Sequence, residues 1–183
     1  VLDALGSPIS GATVTWASSD TGVATVSAAG LVTSVATGTA TLTAAISSLS
    51  ATASVVSAPF YLHSNGVTVI CSLASVGDTG TVSGTLYTKR TASQITTGNA
   101  ASTCTSGVTD MSRMFQGAST FDQNLGSGDV SSVTNMSYMF CQATSFNGDL
   151  STWDVSSVTN MNSMFFEAST FNSDLSKLSL IHI

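Results

Sequence analysis

Between residues 108 and 175 the chain repeats itself at an interval of 25 residues, and no other feature limits its fold as much. The segments "VTDMSRMFQGASTFDQNL" (108–125), "VTNMSYMFCQATSFNGDL" (133–150) and "VTNMNSMFFEASTFNSDL" (158–175) align without a gap. Val108, Val133 and Val158 coincide, as do Met111, Met136 and Met161. The pairs Met114-Phe115, Met139-Phe140 and Met164-Phe165 follow, then Phe121, Phe146 and Phe171, then Leu125, Leu150 and Leu175. A unit of this size cannot bury an apolar face alone; copies bury it by stacking on one another, as in a solenoid.

Placed on a helix, Val133, Met136, Met139, Phe140 and Ala143 fall within an arc of about 120°, an amphipathic stripe facing a core. Trp153 and Val155 alternate in "STWDVS" as a short strand would. Each unit is therefore expected to be one helix and one short strand, with helices on one flank and a narrow parallel sheet on the other. Soft metal or haem ligation by the methionines is the alternative to packing. No histidine shares their register, and Met contacts aromatic rings favourably in irregular cores, so the expectation is packing.

Residues 1–57 have a different period. In "GTATLTAA", Ala40, Leu42 and Ala44 alternate with Thr39, Thr41 and Thr43, the pattern of a half-buried strand. "ATVTWAS" and "VATVS" repeat it, with turn signals at Ser19-Asp20, Ala29-Gly30 and Thr37-Gly38. Short strands separated by such turns predict an all-β sandwich, with Trp16 expected in its core. The stretch "VTWASSDTGVATVSAAGLVTSVATGTATLTA" resembles the group 2 bacterial immunoglobulin-like domain, with the family's opening strand cut short. The resemblance implies a spacer module of surface proteins.

Pro59 interrupts that pattern, and residues 58–107 form a second zone. "VTVICS" and "GTVSGTLYTKR" read as short strands, and "TASQITTGNAA" as a short helix. Cys71 and Cys104 bracket the zone 33 residues apart. They read as a disulfide stapling a β-rich cap onto the repeats, against a redox pair or two buried thiols. Closing such a loop stabilises a fold by roughly 3–4 kcal/mol. Cys141 is left as a free thiol.

The segment "FNGDLSTWDVSSVTNMNSMFFEASTFNSDLS" is similar to the BspA-like leucine-rich-repeat surface proteins, and "GVTVICSLASVGDTGTVSGTLYTKRTASQITTGNAASTCTSGVTDMS" looks like the segment that leads into their repeats. The resemblance implies a secreted or surface-displayed protein acting in adhesion, not an enzyme. Two departures stand out: Gly128 takes the place of Trp153 in the first unit, and "SKLSLIHI" replaces "STWDVSSV" in the last. Leu178, Leu180 and Ile183 keep the apolar positions there, and the open end of the stack is expected to offer an edge to other chains.

Charge removes whole classes of partner. Four basic residues, Lys89, Arg90, Arg113 and Lys177, stand against ten acidic ones, for a net charge of −6. That is too little positive charge to neutralise phosphates, so no nucleic acid is expected. Three cysteines without a Cys-x-x-Cys pair, and only His63 and His182, argue against zinc. No run of 18 apolar residues is present to span a membrane. The start, "VLDALGSPISG", is not a signal peptide, so a targeting signal would lie outside this piece.

The best polar candidate for a site is a ladder. Asp122, Asn147 and Asn172 coincide in the three units, as do Asn124, Asp149 and Asp174; Asp129 and Asp154 form another row. Calcium would suit such carboxylates, but no calcium-loop motif is present, and capping or turn hydrogen bonds explain the same residues. Asp110, Asn135 and Asn160 read as helix caps in the same way. The Thr39–Thr41–Thr43 row suits ice only weakly and an exposed strand face well. Lys89-Arg90 reads as a solvated turn or strand end. No nucleophile, base and orienting group can be named together, so no catalysis and no cofactor are expected.

The sequence thus predicts a multidomain chain: an Ig-like β-sandwich (1–57), a β-rich cap (58–107) and a short α/β leucine-rich-repeat-like solenoid (108–183). Its expected role is adhesion at the bacterial surface, binding a host or matrix protein or a polysaccharide. A stalk without a ligand and a carbohydrate-binding accessory module are the alternatives.

Overall fold

In a computed structural model, residues 13–173 and 175 are described. The chain divides into two units, Val1–Pro59 and Phe60–Ile183.

In the first unit the alternating threonines and small apolar residues form strands, as period-2 patterning requires. The strands are β1 (Thr15–Ser18), β2 (Ala24–Val26), β3 (Val32–Ser34), β4 (Gly38–Ile46) and β5 (Leu49–Ser57). They form a three-stranded sheet in the order β1-β4-β5 and a β2-β3 hairpin. All nine residues of β4 pair antiparallel with β5, from Gly38 opposite Ser57 to Ile46 opposite Leu49. Ala24, Ala40 and Leu42 are buried and Val32, Val35 and Leu49 are exposed, so the core is small. Trp16 does not join it: the side chain is 37% exposed. It sits opposite Ala44 and over Gly30, neighbours too small to enclose an indole.

The second unit opens with short strands β6 (Tyr61–Leu62), β7 (Val69–Ile70), β8 (Thr79–Val82), β9 (Thr85–Lys89) and β10 (Thr103–Cys104). β8 and β9 form a hairpin through Ser83-Gly84, both with positive φ as a tight two-residue turn requires. β10 pairs parallel with β9. Phe60, Val69, Cys71, Ala74, Val82, Tyr87 and Cys104 enclose a core of their own. Within it Cys71 and Cys104 are joined as a disulfide, with Cα atoms 6.3 Å apart. "TASQITTGNAA" holds two single 3₁₀ turns, Ala92–Gln94 and Ala100–Ser102, rather than one helix.

The 25-residue units contain neither the expected helix nor the expected strand. Their backbones are runs of tight turns, and their hydrogen bonds show why. The amides of Met111, Arg113, Phe115 and Gly117 donate forward to the carbonyls of Asn135, Ser137, Met139 and Cys141. Met136, Tyr138, Phe140 and Gln142 donate likewise to Asn160, Asn162, Met164 and Phe166. The amides of Met114, Gln116 and Ala118 turn back three residues, to Met111, Arg113 and Phe115. Two positions per unit take left-handed φ: Arg113, Tyr138 and Ser163 at one, Gly117, Gln142 and Glu167 at the other. A right-handed helix cannot pass through either.

Spacing between equivalent side chains points the same way. Phe115, Phe140 and Phe165 stack with 5.6 Å between successive ring centroids, and Phe121, Phe146 and Phe171 with 5.7 and 5.8 Å. Neighbouring helices stand about 8–10 Å apart, whereas hydrogen-bonded backbones stand about 4.8 Å apart. The ring columns fit only the second. Trp153 and Val155 are buried, in irregular backbone between tight turns rather than on a strand. The α/β expectation is therefore corrected: the described residues are β-strands and turns, with 3₁₀ turns as the only helical elements.

Candidate functional site

Identical residues of the repeat point inward. Met111, Phe115, Met136, Met139, Phe140, Phe146, Val133, Leu150 and Met164 are buried in one cluster, with Met114, Met161, Phe165 and Phe171 partly buried against it. Within each unit the two phenylalanines also stack on each other, at 4.2, 4.0 and 4.0 Å. The indole of Trp153 donates to the carbonyl of Leu125 in the preceding unit at 3.0 Å. Where Gly128 replaces the tryptophan, a cavity of about 20 Å³ remains among Ile95, Ala100, Met111, Met139 and Trp153, space for no more than a water molecule.

The lead-in is fastened to the first unit by polar contacts. Ser106 Oγ accepts from the Cys71 amide at 3.0 Å and donates to Asp129 Oδ2 at 2.6 Å. Thr105 Oγ1 donates to the Asp129 carbonyl at 2.8 Å. Lys89 and Arg90, expected to be solvated, are used internally. Lys89 Nζ donates to the carbonyls of Cys71 and Ala74, and Arg90 to the Ser102 carbonyl and Thr103 Oγ1.

The polar ladder bonds backbone. Asp122 Oδ1 accepts the Asn147 amide at 2.9 Å, and Asn147 Oδ1 accepts the Asn172 amide at 2.8 Å. The other acidic and amide rows close turns two residues ahead: Asn124 on Gly126, Asp149 on Ser151, Asp129 on Ser131 and Asp154 on Ser156. Asp110, Asn135 and Asn160 do the same on Ser112, Ser137 and Asn162, so these residues close turns and cap no helix. Hydrogen bonds from Ser112 hold the Asp110 carboxyl below its ordinary pKa of 3.8. Ser156, with a smaller contribution from the charge of His63, does so for Asp154. Among the described residues no three His, Cys, Asp or Glu side chains gather to hold a metal ion. Asp174, Lys177, Leu178, Leu180, His182 and Ile183 lie outside the described residues.

Three of the columns that differ between units cluster on one flank, at the left-handed turns. One column reads Arg113, Tyr138, Ser163; the next Gln116, Cys141, Phe166; the third Gly117, Gln142, Glu167. Arg113 lies 4.6 Å over the Tyr138 ring and donates to Gln116 Oε1 at 3.0 Å. Gln142 donates to Glu167 Oε2 at 2.8 Å. Phe166 is 56% exposed, whereas its counterpart Cys141 is buried. Arg113, Gln116, Gln142 and Glu167 are exposed as well. This flank was missed by attention to what repeats; the signal for it was what does not.

Among the described residues no helix is long and apolar enough to cross a membrane. Residues 2–56 match the model of the bacterial Ig-like domain (group 2). No curated protein and no solved structure matches the chain. A second family model covers residues 86–183, more than half of the chain, including the end of the lead-in and every repeat. On that match the chain belongs to the family described as Mycoplasma protein of unknown function, DUF285.

Proposed function

We propose that this chain is part of a bacterial surface adhesion protein of BspA-like type, extracellular or cell-surface in location. Its stacked units form a short solenoid that binds a host or matrix protein, and its Ig-like segment is a spacer. The role is recognition rather than catalysis. The observation that carries the reading is the flank at the left-handed turns. Side chains vary from unit to unit there while the columns beneath stay fixed, which separates the means of folding from the means of contact.

The chemistry of that flank suits a protein surface. An exposed phenylalanine, an arginine over a tyrosine and two exposed amides, Gln116 and Gln142, match the aromatic and arginine enrichment of protein interfaces. The Cys71–Cys104 disulfide agrees with an oxidising, extracellular setting.

Solid-phase binding of the 183-residue chain to a panel of matrix proteins tests the proposal, with polysaccharides as a separate arm. Saturable binding to a protein, weakened about tenfold or more by Phe166→Ala or Arg113→Ala, is the expected result. Saturable polysaccharide binding would favour an accessory module. A folded chain that binds nothing, or whose binding ignores both changes, would leave a stalk.

A further inference from the structure

The chain holds two Asn-Gly pairs, Asn65-Gly66 and Asn147-Gly148, and the fold treats them differently. A glycine has no side chain to shield its amide nitrogen, which can attack the carboxamide of the asparagine before it once the two groups meet. At the first pair every reacting group is engaged. The Gly66 amide donates to the His63 carbonyl at 2.9 Å. Asn65 Nδ2 donates to Thr68 Oγ1 at 2.8 Å, and Asn65 Oδ1 accepts the amides of Val67 and Thr68 at 3.0 Å. At the second pair, among the described residues, neither the Gly148 amide nor Asn147 Nδ2 has a hydrogen-bond partner. Only Asn147 Oδ1 is held, by the Asn172 amide at 2.8 Å and the Ser173 hydroxyl at 3.3 Å. Donors on that oxygen draw charge from Cγ and stabilise the oxyanion that attack creates. Asn147 is exposed, so hydroxide and water reach it. Packing also keeps the nucleophile bare: a Cβ on Gly148 would lie 2.9 Å from the Phe146 ring and 3.1 Å from the Gln123 carbonyl.

We propose that Asn147 is a site of self-modification, converted through a succinimide with Gly148 into aspartate or isoaspartate. Hydroxide takes the proton of the Gly148 amide, and its nitrogen bonds to Asn147 Cγ. The Cγ–Nδ2 bond breaks, and Nδ2 leaves as ammonia with a proton from water. Water then opens the ring. Cleavage of the new bond at Cγ restores the backbone and leaves aspartate. Cleavage at the main-chain carbonyl carbon leaves isoaspartate, with the chain running through the side chain. The two products differ in consequence. A carboxylate keeps the ladder, since Asp122 Oδ1 accepts the Asn147 amide at 2.9 Å in the same way one unit earlier. Isoaspartate adds a methylene to the chain between Phe146 and Leu150, which are both fully buried. It therefore disturbs the ring that stacks on Phe121 and Phe171. The same reaction either adds a negative charge to an intact ladder or loosens the column beneath it.

Incubation of the full 183-residue chain in neutral and mildly alkaline buffer, followed by peptide mapping with mass spectrometry, tests this. A gain of about 1 Da is expected at Asn147. In the folded chain it should accumulate roughly tenfold or more faster there than at Asn65. The rate should rise with pH, because the attacking group is the deprotonated amide. In urea, where neither pair keeps its hydrogen bonds, the two rates should converge. Asn147→Asp should abolish the signal and melt like the wild type, whereas the aged chain should melt lower in proportion to its isoaspartate content. Equal rates at the two pairs in the folded chain would overturn the proposal. So would a folded Asn147 that stays intact while the unfolded chain converts, or a lowered melt for Asn147→Asp.

Discussion

Replacing Phe140 by alanine tests the ring columns most directly. Phe140 is fully buried and touches rings on every side: Phe115 and Phe165 at 5.6 Å, Phe146 at 4.0 Å and Trp153 at 6.4 Å. Phe-to-Ala changes in cores cost about 3–5 kcal/mol, and each aromatic pair adds about 0.5–1.5 kcal/mol beyond area. With stacked units on both sides the site cannot collapse, so the loss should lie at the top of that range, about 4–5 kcal/mol. Phe165 stacks on Phe140 and Phe171 but is only partly buried. Phe165→Ala should therefore cost about half as much, roughly 2 kcal/mol. Urea unfolding followed by Trp153 fluorescence in a Trp16→Phe background reports on the second unit alone. At a slope of about 2 kcal/mol/M, the midpoints should fall by about 2 M and 1 M. Equal losses at the two sites, or a loss below about 1 kcal/mol at Phe140, would refute the reasoning, because burial between two neighbours would then not be what the columns contribute.

Ser163 adopts left-handed φ of 52°, so Ser163→Gly should stabilise by up to about 1 kcal/mol and Ser163→Val should destabilise by about 1–2 kcal/mol, read by the same unfolding curves. Asp154 is held below its ordinary pKa in the fold, so its contribution is present at neutral pH and is lost as pH falls below 3.8 through the lower, folded value. Asp154→Asn should keep the turn, as Asn135 and Asn160 keep theirs, while flattening the fall in urea midpoint between pH 7 and pH 3. Cys71→Ser with Cys104→Ser should cost about 2–4 kcal/mol, and the wild-type chain should lose the same on reduction; an unchanged melt under reductant would contradict the staple.

What could be read from the sequence was whatever acts within a few residues or recurs at a fixed interval. Ala40, Leu42 and Ala44 announced β4 because alternation is local. The Met and Phe columns announced stacking because the interval is constant. The helix was misread at Met136-x-x-Met139-Phe140. A three-residue spacing buries one side of a helix and one side of a chain of tight turns alike, and the choice between them rests on hydrogen bonds to residues 24 positions away. Gly117 was the one local hint of a left-handed turn, and Gln142 and Glu167 hide it in the later copies. Trp16 was misplaced because residue type predicts burial only when neighbours are large enough to cover it. The flank around Phe166 was legible in principle, through differences between units rather than likenesses.

The arrangement of bonds in the second unit also sets how it would yield to a pull along the chain. Between Cys71 and Cys104, 33 residues separate the linked positions, so about 110 Å of extended chain stays locked while the disulfide is intact. The stacked units have no such lock, since their hydrogen bonds join one coil to the next rather than one end to the other. Under tension each coil should peel separately and release about 85 Å, one 25-residue length. A chain built this way lengthens in equal steps while the stapled lead-in keeps its hold, yielding gradually rather than all at once.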